Sequence, residues 1–204
     1  MQTASDLVHR KKPDACCADG TELRQRLAAA EAERRRAQAA MVDLEERLSD
    51  TINVCVALER LHGSTDHGEV LRAIQDVVIN LVGSEELAVY EPGPSGELEV
   101  VQSFGVSGGR LAPVAPGHGP IGRVAAEGRA WVTGDATPCG DPDLTACVPL
   151  VADDRVVAVL AIWRLLPQKP ALRDADRRVL ELLGPHAGRA LYLTAGNTRR
   201  ARAA

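Results

Sequence analysis

The side chains able to do chemistry gather between Gly117 and Asp143. His118, Arg123, Asp135, Cys139, Asp141 and Asp143 fall in that window, with Ile121 opening a short apolar helix pattern. One histidine and three aspartates form a donor set for a cation or a polar ligand. Arg123, beside the leading amides of a helix over Ile121 to Val124, would suit a carboxylate or a phosphate. Cys139, in Pro138-Cys139-Gly140-Asp141, is the loop thiol best placed to react, although nothing in the sequence lowers its pKa. The plainer alternative is that the aspartates are solvated turn formers and that the glycines serve tight turns.

Gly117-His118-Gly119-Pro120-Ile121-Gly122 has the spacing of a dinucleotide fingerprint. That reading needs a buried strand immediately before it, and Leu111-Ala112-Pro113-Val114-Ala115-Pro116 is not one. Pro120 also lacks the backbone donor that a pyrophosphate would require. His9, His62, His67, His118 and His186 show no HxxxH spacing and there is no Cys-x-x-Cys, so neither a metal nor a cofactor is expected. Adjacent Cys16 and Cys17 cannot form an unstrained bridge, and Cys147 reads as a core residue on a strand.

The elements that must position these residues are legible from periodicity. Residues 1–20 have none and read as a disordered leader. From Thr21 a seam of Leu23, Leu27, Ala30, Arg34, Ala37, Met41, Leu44, Leu48, Thr51, Cys55, Leu58 and His62 alternates spacings of four and three. That is a coiled-coil pattern over 21–62, with Leu23, Leu27, Met41, Leu44, Leu48, Cys55 and Leu58 as the dimerising set. In a parallel dimer the two copies of Cys55 face each other. Asp66 and Glu69 start a second helix that ends near Gly83. Strands are predicted over Leu87–Glu91, Leu98–Phe104, Ala130–Thr133, Ala146–Ala152 and Val156–Arg164, the last apolar on both faces and therefore central. A closing helix opens at Asp174 or Asp176 and should bend at Pro185. Residues 194–204 form a short basic tail.

Composition narrows the function classes. The chain has 204 residues, a formal net charge of -4 and five aromatic residues. The acidic balance argues against nucleic acid, and so few rings cannot build a base-stacking platform. No apolar run approaches the roughly 20 residues of a membrane span and no signal peptide is visible, so the expected compartment is the cytoplasm without membrane insertion.

The order of elements is α+β, and from about Leu61 to Leu193 the chain resembles the GAF family of regulatory domains. The resemblance is carried by LRAIQDVVINLVG with LAVYEPG, by GHGPIGRVAAEGRAWVTGDA, by CVPLVADDRVVAVLAIWR and by LRDADRRVLELLGPHAGRAL. It implies a central antiparallel sheet with helices packed on one face, a ligand-sized cavity under loops on the other, and a dimeric helical bundle. The expected organisation is a coiled coil over 21–62, a GAF-like domain over 63–193 and the tail. The expected function is a non-catalytic sensory homodimer that binds a small molecule or partner and relays to a separate effector protein. An adaptor with a vestigial pocket is the alternative. Free methionine sulfoxide reductases of this family use cysteines, one of them where this chain has Ile121. Bilin carriers attach the chromophore at a Cys-His pair, which this chain lacks.

Overall fold

The computed structural model describes the backbone of residues 15–133, 141 and 143–203, and the side chains of 20–133, 141 and 143–195. By internal contacts the chain divides into two compact units, Met1–Ser49 and Asp50–Ala204.

The first unit is the helical arm. Helix α1 spans Ala15–Gly63, so it begins six residues before Thr21, and the leader expected over 1–20 is already helical at its end. Alanines and long straight side chains dominate this stretch, and they lose little rotamer freedom in a helix. Arg47 pairs with Asp43 at 2.9 Å one turn away, a surface contact worth only a few tenths of a kcal/mol, on the order of 0.3. Leu23, Leu27, Met41, Leu44 and Leu48 are 59–66% exposed in the single chain.

In the second unit, α1 ends in the domain's own core. Leu61 is fully buried, and Ala57 and Leu58 pack against the same cluster. Leu58, assigned to the dimer seam by heptad spacing, is therefore turned onto its own domain, while Ile52 and Val56 stay exposed. The strands β1 (Leu87–Pro92), β2 (Leu98–Phe104), β3 (Trp131–Val132), β4 (Ala146–Ala152) and β5 (Arg155–Ile162) form one sheet. Its order is β2-β1-β5-β4-β3 with every pair antiparallel, and β5 is central as its apolar faces predict. Asp153 and Asp154, at φ 47° and 59°, make the tight β4–β5 hairpin that the right-handed strand twist favours.

Helices α2 (His67–Val77) and α4 (Asp174–Ala203) cover one face of the sheet. The Asp66 carboxylate accepts from the Glu69 amide at 2.9 Å, the cap that Asp66 and Glu69 predict. A π-helical turn over Val78–Val82 continues α2 until Gly83, whose φ of 73° ends it. Helix α4 runs on through Pro185 and continues across 194–203, so most of the segment expected to be a basic tail is its last turns. No helix among the described residues is long and apolar enough to cross a membrane.

Two glycines four residues apart let α4 lie directly on β4. A Cβ at Gly188 would stand 2.6 Å from the Leu150 carbonyl carbon and closer still to the backbone nitrogen and oxygen of Val151. A Cβ at Gly184 would stand 2.9 Å from the Pro149 oxygen. Because the obstacles are backbone atoms, no rotamer change relieves them. We expect Gly188→Ala to destabilise the domain by about 3 kcal/mol in urea unfolding, and Gly63→Ala, with nothing within 4 Å, to change it little.

His67 ties three elements on the helical side. Its Nε2 lies 3.0 Å from Glu91 Oε1 at the end of β1, and its Nδ1 lies 3.2 Å from Thr194 Oγ1 on α4. The hydrogen bond to Glu91 raises its pKa above 6.5, partly opposed by burial. A raised folded-state pKa means that the native state holds the proton more tightly, so the stabilisation is full below about 6.5 and fades as pH rises through the folded value. Wild type should therefore lose more unfolding free energy between pH 6 and pH 8 than His67→Gln, measured by urea titration at both pH values.

Candidate functional site

The sheet face opposite α2 and α4 carries the alternate residues of each strand. Ala88 and Tyr90 of β1, Cys147 of β4, and Val159 and Ala161 of β5 point this way, with Trp163 just beyond β5. They are roofed by Leu98, Leu144 and helix α3 (Gly119–Glu127), which contributes Ile121 and Val124. Tyr90 is fully buried and Trp163 nearly so. Two large, buried side chains thus pack on the face where the family resemblance places a ligand cavity.

Their polar ends lead to a charged cluster. The Tyr90 hydroxyl donates to the Arg110 carbonyl at 2.7 Å, and burial pushes its pKa up to about 12, so it remains a neutral donor. The Trp163 indole donates to Asp141 Oδ2 at 2.7 Å. The Arg110 guanidinium reaches Glu86 at 3.2 Å, Asp141 at 3.5 Å and, in a short contact, Asp143. Arg164 bonds Glu86 at 3.0 Å and Glu85 at 3.1 Å. Glu86, nearly buried, therefore lies between two guanidinium groups, and its charge is offset where water could not solvate it well.

Beside this cluster lies an open cleft of about 580 Å³. Glu86, Arg110, Asp143 and Trp163 form one wall, Thr133 and Thr145 line it, and Arg177 of α4 contributes a further cation.

The structure brings together two of the residues singled out from sequence, Asp141 and Asp143, through a third that sequence reasoning missed, Arg110. His118 is the N-cap of α3, exposed, with its Nδ1 3.5 Å from the Pro116 carbonyl. Arg123 folds back on its own helix, donating to the Gly119 carbonyl at 3.2 Å. The Gly122 amide is taken by the His118 carbonyl at 3.1 Å, which removes one of the donors proposed for an anion. Ile121 is a buried core residue on the inner face of α3. Asp135 and Cys139 lie outside the described residues. The missed members had faint signals: Glu86 is a carboxylate immediately before a strand that opens Leu-Ala-Val, and Trp163 closes the apolar run Val156 to Trp163. Arg110, in a Gly-Gly-Arg-Leu loop, had none.

Removing the guanidinium leaves Glu86 with Arg164 and takes a cationic partner from Asp141, to which the Trp163 indole and the Asp143 amide still donate. We expect Arg110→Ala to cost about 2–3 kcal/mol in urea unfolding. The Trp163 emission should shift to longer wavelength in a Trp131→Phe background, and Arg110→Lys should recover only part of the loss because one ammonium cannot fork between three carboxylates.

Comparison with known proteins places this geometry. The sequence profile described as GAF domain matches residues 64–191. No curated protein matches the chain significantly. Among solved structures, the GAF domain of a phosphoenolpyruvate-protein phosphotransferase from Coxiella burnetii superposes with a TM-score of 0.56 at 13% identity, covering 77% of this chain and 98% of that one. A GAF domain/HD domain protein from Geobacter sulfurreducens gives 0.54 at 22% identity, covering 67% and 99%. The free methionine-R-sulfoxide reductase of Neisseria meningitidis, in complex with its substrate, gives 0.55 at 21% identity, covering 71% and 89%. At these identities the likeness is one of fold, with regulatory and catalytic proteins both represented. The profile match spans well over half of the sequence, and on that ground the chain belongs to the GAF domain family.

Proposed function

We propose that this chain is a non-catalytic regulatory GAF module that dimerises through α1, binds a small ligand or a partner at its loop face, and relays through its helices to a separate effector protein. The observation that carries the reading is the apolar stripe on α1, with Leu23, Leu27, Met41, Leu44 and Leu48 all more than half exposed in one chain. A helix of this length with an uncovered seam gains little from propensity alone, and a second copy supplies the missing burial. The same helix ends with Leu61 in the domain core, so a change in seam packing has a covalent path to the sheet.

Two observations bear on the catalytic alternative found among the structural relatives. Ile121, which by the family resemblance stands where the reductases use a cysteine, is an aliphatic side chain held in the core. Of the two described cysteines, Cys147 is buried on β4 and Cys55 lies on α1. A second reading, a ligand-free adaptor, draws support from the packing of Tyr90 and Trp163 into the loop face.

Sedimentation equilibrium of the full chain tests the dimer. We expect twice the chain mass for wild type and a single chain mass for Leu44→Asp/Leu48→Asp, with the domain's thermal midpoint retained because both residues are exposed. A monomeric wild type sinks the claim. A thermal-shift screen with nucleotides, small acids and amino acids separates sensor from adaptor, since a ligand raises the midpoint by mass action. Thiol-dependent reduction of free methionine sulfoxide would overturn the non-catalytic reading.

A further inference from the structure

We propose that His62 and His186 together form a binding site for a divalent late transition-metal cation, bridging the last turn of α1 to the middle of α4. The two residues are 124 positions apart in sequence, yet His62 Nε2 lies 2.9 Å from His186 Nδ1. Their rings meet edge to face with centroids 5.1 Å apart; His62 is exposed and His186 half-buried. Both belong to the same compact unit.

Two neutral imidazoles facing each other at this distance share one proton, one nitrogen donating and the other accepting. A borderline cation can take that proton's place, because imidazole nitrogen is a preferred donor for nickel, copper and zinc. Nitrogens bonded at about 2.0–2.1 Å to one ion across angles between a right angle and the tetrahedral value stand roughly 2.9–3.4 Å apart. The observed 2.9 Å lies at the edge of that window, so the two nitrogens already stand at a chelating separation. The balance is simple. The proton on the facing nitrogen moves, through water, to the other nitrogen of the same ring, and two neutral rings bind the ion with no net proton release. Among the described residues no third His, Cys, Asp or Glu completes a cluster, so water fills the remaining positions.

The other described histidines are committed elsewhere. His67 has one nitrogen on Glu91 and the other on Thr194. His118 turns toward the Pro116 carbonyl. The consequence of occupancy is mechanical: the ion would clamp the helix that carries the dimer seam to the helix packed on β4.

Calorimetric titration of the full chain with nickel chloride tests the site. One saturable equivalent per chain is expected, lost or weakened at least tenfold in His62→Gln and, separately, in His186→Gln. Glutamine keeps a side chain of similar length at both positions, and circular dichroism verifies that each variant folds. The His118→Gln control should bind as wild type does. Absence of saturable binding to wild type, or an unchanged isotherm in either of the two histidine variants, overturns the proposal.

Discussion

The contact between α4 and β4 governs the arrangement of everything around it. A helix normally stands off a sheet by the thickness of its side chains, but Gly184 and Gly188 bring the α4 backbone against the backbone of Pro149, Leu150 and Val151. Ala187 and Ala190, both buried, keep the same face thin. With α4 set this low, Val179, Leu182 and Leu183 border α1 beside Val77 and Leu81, and Leu61 reaches the core from α1. The end of the long helix is thus built into the domain. Its last turn lies beside α4, where His62 and His186 meet.

The opposite face follows a different logic. There the strands present small residues, Ala88, Cys147 and Ala161, between two large ones, Tyr90 and Trp163. Small residues leave room for the rings to lie over the sheet, and burial of the rings obliges each polar end to find a partner. The hydroxyl takes the Arg110 backbone and the indole takes Asp141, so the charged cluster is where the buried aromatic pair ends. The guanidinium of Arg110 then neutralises the carboxylates that this arrangement collects. A ligand entering here must compete with contacts that the protein already makes with itself, and the same holds at the adjacent cleft, where the Thr133 and Thr145 hydroxyls donate to backbone carbonyls.

The apolar stripe of α1 has two fates along one helix. Up to Leu48 it remains uncovered, and from Ala57 onward it faces the chain's own core. Heptad spacing cannot distinguish these, because a residue buried against a partner helix and one buried against its own sheet leave the same periodicity. Leu58 belongs to the seam by spacing and to the domain by contact. Exposure also changes at this point: Ile52 and Val56, off the strict heptad line, remain outside.

The sequence by itself determined the elements and their kinds. Strands with period two, helices with period near four and turns marked by Gly, Pro and Asp were all legible, and the apolar run of β5 identified the central strand. These signals are local, since each depends on neighbours within one or two turns. The family resemblance supplied the order of assembly. Tertiary structure alone decided which charges meet. Arg110 finds Glu86 and Asp143 at separations of 24 and 33 residues, and His62 finds His186 at 124. No period encodes such pairs, because they depend on where loops cross the sheet and on how closely α4 approaches it. The window from Gly117 to Asp143 therefore holds residues that meet in space and residues that do not. Asp141 and Asp143 meet because Trp163 and Arg110 fold onto them, whereas His118 turns to the Pro116 carbonyl in the preceding loop and Arg123 to the Gly119 carbonyl of its own helix.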